Sequence, residues 1–136
     1  MRDESEKKAG GSNIFFVLAS AGGFLAVAIG AFGAHGLRAS LAPEAMAVFE
    51  TGVRYQMYHS LALFLPGWAL KNYPARFFTV AGWCFVGGIV LFSGSLYLLA
   101  TTGVRAFGAV TPFGGLAFLA GWLALGVGFW KARTAA

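Results

Sequence analysis

The sequence predicts an all-α integral membrane protein, an antiparallel four-helix bundle with an amphipathic segment between spans 1 and 2. Three observations carry this. The chain is 58% hydrophobic and 11% charged, whereas soluble domains carry about 25% charged residues. Its apolar residues fall into four runs separated by polar connections. It holds 20 glycines, and small residues let membrane helices approach closely. A soluble domain of this size buries only about two thirds of the surface its unfolded chain exposes. That is too little to hide so much apolar area, so lipid is the solvent for most of it.

The net charge of +5 does not point to nucleic acid. Lys7, Lys8, Lys71, Arg76, Lys131 and Arg133 stand at the ends of apolar runs, which is the pattern of membrane orientation rather than a nucleic-acid footprint. Cys84 is the only cysteine. It excludes an intramolecular disulfide and a cysteine-rich metal site, and inside an apolar run it reads as a small hydrophobe.

Residues 1–13 read as a short, frayed polar tail. Residues 14–131 read as one transmembrane domain with spans at about 14–35, 55–70, 77–99 and 112–130. The first run, Ile14 to Ala34, is 21 residues long, close to the roughly 20 that cross a bilayer. It exceeds the 7–15 apolar residues usual in a signal peptide. Gly22, Ala26, Gly30 and Ala34 line one face of it, a helix-packing stripe. Gly36 is placed to end this helix in the left-handed C′ position, with His35 in its last turn.

Residues 38–56 form the longest polar connection. Pro43 suits a first helical position and Glu44 a first turn. Glu50 and Arg54 are four apart and positioned to pair on a helix surface. The stretch 43–53 therefore reads as an amphipathic helix at the membrane surface. The second apolar run, Met57 to Leu70, has 14 residues and covers about 21 Å of a roughly 30 Å core. It must borrow residues upstream, which draws Tyr55, Gln56 and His59 toward the membrane. Pro66-Gly67 should kink this helix. Lys71 to Arg76 reads as a tight turn. Phe77 to about Leu99 is the third span, with Ser93 and Tyr97 on one face. Pro112 should open the fourth span, where Ala120, Ala124 and Gly128 repeat the small-residue spacing.

Seven Lys and Arg lie on the side of the N-terminus, the 71–76 turn and the C-terminus, against Arg38, Arg54 and Arg105 opposite. This predicts both termini in the cytoplasm.

Four segments then resemble a known family. They are Gly30-Ala31-Phe32-Gly33-Ala34-His35-Gly36-Leu37, Thr51 to Ala62 (TGVRYQMYHSLA), Leu91-Phe92-Ser93-Gly94-Ser95-Leu96-Tyr97, and Thr111-Pro112-Phe113-Gly114-Gly115 with Leu119-Ala120-Gly121-Trp122. In this order they resemble the small membrane proteins typified by bacterial YgdD and eukaryotic transmembrane protein 256, the domain of unknown function 423. The resemblance spans Phe15 to Lys131. It implies a four-helix integral membrane protein, in the inner membrane if the source is bacterial, and brings no settled activity, substrate or catalytic residue.

The candidate polar cluster is His35, Glu50, Arg54, Tyr55, Gln56, His59, Ser93 and Tyr97. A histidine near the membrane invites a proton-relay or ligand role. Two histidines without further ligands at the right spacing make a poor metal site, so no metal is expected, and hydrogen bonding between helix ends is the plainer role. Tyr55, Gln56 and His59 share a helix face. Short loops, no reactive constellation and small-residue faces point to a non-enzymatic structural or accessory protein. It is expected to bind no cofactor and to pack against membrane lipids and other membrane subunits or a second copy. The alternative is a small oligomeric transporter or channel lined by the polar cluster, and the third a lipid- or quinone-binding membrane protein.

Overall fold

The computed structural model describes residues 4–73 and 76–134, with side chains over 12–73 and 76–133. Residues 1–3 of the expected tail, and Pro74 and Ala75 of the expected turn, lie outside the described residues. All regular structure is helical: α1 (Glu4–Phe32), α2 (Pro43–Ala62), α3 (Phe64–Asn72), α4 (Arg76–Gly88), α5 (Gly94–Thr102) and α6 (Ala106–Thr134). Two π turns, Gly33–Leu37 and Ile89–Ser93, extend α1 and join α4 to α5.

The expected tail is helical from Glu4 onward. Ser12 is fully buried and donates to the Gly67 carbonyl at 2.6 Å, which ties this end of α1 to α3. At the other end Gly36 does not adopt the left-handed C′ conformation. Gly103 is the one positive-φ residue described. The Ser40 and Leu41 amides both reach the Leu37 carbonyl at 2.9 Å, and a right-handed turn that satisfies the carbonyl needs no left-handed residue.

Pro43 opens α2 as expected. The helix is interrupted at Leu63, one turn before Pro66-Gly67. Pro66 has no N–H for the Ala62 carbonyl and its ring crowds that group, so α2 stops at Ala62. The chain still continues in the same direction, because Leu63 bonds to the His59 carbonyl and Gly67 to the Leu63 carbonyl, at 3.0 and 3.3 Å. Pro112 does not open the fourth helix. It lies inside α6, which starts six residues earlier at Ala106, after amides of Phe107 and Gly108 reach back to Val104 and Arg105. Beyond Trp130, α6 continues to Thr134.

Ser12–Leu37, Arg76–Thr102 and Ala106–Arg133 are long and apolar enough to cross a membrane. The expected second span is not among them. Its first residues belong to α2, which carries Glu44, Glu50 and Arg54 ahead of them, and the break at Leu63 leaves α3 only nine residues long.

The tightest packing joins α4 and its π turn to α6. A β carbon at Gly121 would stand 2.7 Å from the Phe85 ring, and one at Gly128 would stand 2.8 Å from Phe78. One at Gly114 would strike Phe92. Phe78, Phe85 and Phe92 are thus seven apart and meet Gly128, Gly121 and Gly114 in reverse order. Phe118 returns the arrangement by filling the space over Gly88. The two segments run in opposite directions at the seven-residue spacing of a coiled-coil seam, with the Phe85 and Phe78 rings seated over Gly121 and Gly128 and the Phe92 backbone against Gly114. Phe15 of α1 joins this core over Gly82, beside buried Ala81, Leu63 and Leu125.

The small-residue stripes divide. On α1, Gly22 lies against Ser60 and Gly30 against Val53 of α2, and Ala26 is fully buried. Ala34 is exposed. On α6 only Gly128 of the expected three is buried, while Ala120 faces outward and Ala124 is half-buried. The buried row of α6 is instead Gly114, Phe118, Gly121, Leu125 and Gly128.

Candidate functional site

A knot of polar side chains sits halfway along the helices. Gln56, buried on α2, donates from Nε2 to the Gly22 carbonyl of α1 at 2.9 Å. Its Oε1 accepts the Tyr97 hydroxyl of α5 at 2.8 Å. One amide therefore ties three helices. Three residues further on, His59 faces α6. Its Nδ1 lies 2.8 Å from the Tyr55 carbonyl, and its Nε2 lies 3.2 Å from the indole nitrogen of Trp122. A carbonyl only accepts and an indole N–H only donates. The ring must then carry its proton on Nδ1 and receive at Nε2, so both nitrogens are engaged in the neutral form. Its flat face stacks on Phe118 at 3.5 Å between centroids and 8° between planes.

Tyr55 and Gln56 do not act on one face. The Tyr55 ring turns to Phe92, 4.6 Å between centroids, while Gln56 turns to α1 and α5. Gly52 makes room for Tyr97: a β carbon there would stand 2.8 Å from its ring and 3.3 Å from the Ser93 carbonyl. The π turn thus brings Ser93 beside Tyr97, with the Ser93 hydroxyl buried and without a hydrogen-bond partner.

The segments that build this knot are Thr51 to Ala62, the stretch around Ser93 and Tyr97, and Trp122. A family model described as a protein of unknown function, DUF423, matches residues 29–115. The chain belongs to this family. A UPF0382 membrane protein of Bacillus subtilis, YwdK, is 46% identical over 111 residues, which is 81% of this chain and 90% of that protein. A UPF0382 membrane protein of Staphylococcus haemolyticus is 45% identical over 118 residues, covering 87% of this chain and 96% of its own length. The UPF0382 inner membrane protein YgdD of Escherichia coli is 40% identical over 117 residues, with 86% and 89% covered. No solved structure matches. This DUF423 chain is an integral membrane protein.

The other predicted site residues of this DUF423 protein lie apart from the knot. His35 is exposed in the first π turn. It stands 13 residues beyond Gly22, about 20 Å along the helix, so it does not join His59. Glu50 and Arg54 are exposed, and the expected ion pair between them does not form. Arg54 instead reaches Thr51 Oγ1 at 3.4 Å. Glu50 and Arg54 line a cleft of about 250 Å³ with Gly30, Ala34, Met46, Phe49 and Val53.

Sequence reasoning missed Trp122, Phe118 and Thr111. Thr111 shares a 2.7 Å hydrogen bond with Ser95, joining α6 to α5. A tryptophan in mid-span carried a usable signal, since away from water an indole N–H needs an acceptor. Among the described residues no group of three His, Cys, Asp or Glu could hold a metal ion.

Proposed function

We propose that this chain is a non-enzymatic structural or accessory subunit of the bacterial plasma membrane. In this reading it is a four-span antiparallel bundle with both termini in the cytoplasm. The first half of α2 lies at the opposite surface, and α2 and α3, continuing in one direction past Leu63, cross together. The Escherichia coli relative, an inner membrane protein, supports the location.

One observation carries the accessory role. The outer face of α6 repeats the seven-residue spacing of its inner face. Phe113, Leu116, Leu123 and Trp130 are 61–70% exposed, and Ala120 and Val127 complete the row at alternating steps of three and four. The inner row is filled by α4. Among the described residues no helix of this chain lies against the outer row, and exposed Gly126 opens a notch of about 350 Å³ between Trp122 and Trp130. A row of this spacing accepts the ridge of another helix, from a different subunit or a second copy. The knot around Gln56 and His59 supports a structural role as well, because its polar atoms are used to hold helices together.

A photo-reactive side chain at Leu123, irradiated in intact membranes, tests this. It should give a discrete protein adduct, while the same probe at Phe24 on the exposed face of α1 should give lipid adducts. Lipid adducts alone at Leu123 would contradict the reading.

A second reading rests on a different cleft, of about 380 Å³, between α1 and the 86–97 segment. Its walls are apolar, with Leu25, Ile29 and Val90 among them, and Gln56 and Tyr97 lie in its floor. That combination suits a lipophilic ligand with one polar group.

A further inference from the structure

Arg54 is out of place. Gly30 lies against Val53 and Gly33 against Phe49, which fixes the level of α2 along α1. The apolar run Ile14–Ala34 has its middle at Phe24. Arg54 therefore leaves its helix about 8 Å from that middle, and Glu50 about 14 Å from it, at a rise of about 1.5 Å per residue. The hydrocarbon extends about 15 Å from the centre. An arginine inside that limit needs a counter-charge or a path to the headgroups. Its partner here is one neutral threonine at 3.4 Å.

Two clefts meet at this place. The first runs between α1 and α2 over Gly30 and Ala34, with Met46, Phe49 and Val53 as its apolar wall and Glu50 and Arg54 at its side. The second, of about 370 Å³, lies toward the surface and is lined by Arg38, Leu41 and Pro43. Met46 and Glu50 belong to both. Glu50 thus stands near the hydrocarbon edge, with Arg54 deeper and Arg38 toward the surface, and the apolar cleft lies beside them.

We propose that Arg38, Glu50 and Arg54 form a headgroup site for an amine-bearing zwitterionic phospholipid of the phosphoethanolamine type. The arginines hold the phosphate, Glu50 holds the ammonium, and an acyl chain enters the cleft over Gly30 and Ala34. Guanidinium groups suit phosphate because their donors match its oxygens in pairs. Glu50 sets the headgroup: a primary ammonium donates hydrogen bonds to a carboxylate, a quaternary ammonium has none to give, and a glycerol headgroup has no positive charge. Free inorganic phosphate would leave the apolar wall of Met46, Phe49 and Val53 unfilled. The site is independent of the docking row on α6, which lies on another helix.

The test uses the full chain in mild detergent, with equal amounts of palmitoyl-oleoyl phosphatidylethanolamine, phosphatidylcholine and phosphatidylglycerol, read by native mass spectrometry. The wild type should retain the ethanolamine lipid about tenfold over the choline lipid, in line with a charge-assisted hydrogen bond. E50Q should abolish that preference, and R54Q should lower retention of the ethanolamine lipid by about tenfold or more. R105Q removes an arginine outside both clefts and should change nothing. The three side chains are exposed, and thermal melting of each variant checks that it folds. Equal retention of ethanolamine and choline lipids by the wild type overturns the proposal. So does wild-type behaviour of E50Q and R54Q, or a loss in R105Q that matches R54Q.

Discussion

Trp122 of α6 gives its indole N–H to Nε2 of His59 on α2, at 3.2 Å. This bond makes His59 a fastener between helices. The ring is buried against Phe118 and Phe85, its other nitrogen reaches the Tyr55 carbonyl, and no edge of it is left for a ligand.

Replacing His59 with Leu should cost about 2 kcal/mol, combining a lost hydrogen bond that strands the indole with a lost ring stack. Replacing exposed His35 with Ala should stay within about 0.5 kcal/mol. Equilibrium unfolding in detergent, followed by tryptophan fluorescence, measures both. Equal costs would refute the division of roles.

Gln56 and Tyr97 should be coupled. In a double-mutant cycle of Gln56→Leu and Tyr97→Phe, the interaction should fall near the roughly 0.6 kcal/mol average for membrane helices and below about 2 kcal/mol. No measurable coupling would mean that the 2.8 Å bond contributes nothing to stability.

The phenylalanine and glycine pairing predicts opposite outcomes for one substitution type. At Gly114 a β carbon would run into the Phe92 backbone, which cannot swing aside, so Gly114→Ala should destabilise by about 1–3 kcal/mol. At Gly87 and Gly23 nothing lies within 4 Å. Alanine there should be neutral or stabilising by up to about 1 kcal/mol through helix propensity. Thermal melting of the three variants decides it.

Ser60 Oγ is buried with no partner, pressed against Gly22. Ser60→Ala should therefore keep or raise stability, by up to about 1 kcal/mol, because it removes an unsatisfied group. A loss above that size would show that the hydroxyl is bonded.

The helices were legible because apolar runs and the polar breaks at Arg38 and Arg105 are long-range composition signals. The α1 stripe was legible for a similar reason: Gly22, Ala26 and Gly30 recur at one helical spacing and meet α2. The α6 stripe misled, since in a helix apolar on every side small residues occur on faces with different neighbours. The informative signal there is shared between two segments, Phe78, Phe85 and Phe92 against Gly114, Gly121 and Gly128. Pro112 inside α6 and the π turn at Ile89–Ser93 depend on packing around them, which no local pattern encodes. Half of the polar cluster was legible, in Gln56, His59 and Tyr97. The other half lies in backbone carbonyls of Gly22 and Tyr55 and in Trp122, and a carbonyl carries no residue signature.

The direct test of the accessory role is native size and composition. The protein is extracted from its own membrane in mild detergent, separated by native gel electrophoresis and analysed by mass spectrometry. The account predicts migration in a defined assembly, with stoichiometric membrane subunits or a second copy, that a charged substitution at Leu123 disperses. Migration as a lone 14.3 kDa chain in its detergent belt, unchanged by that substitution, would contradict it.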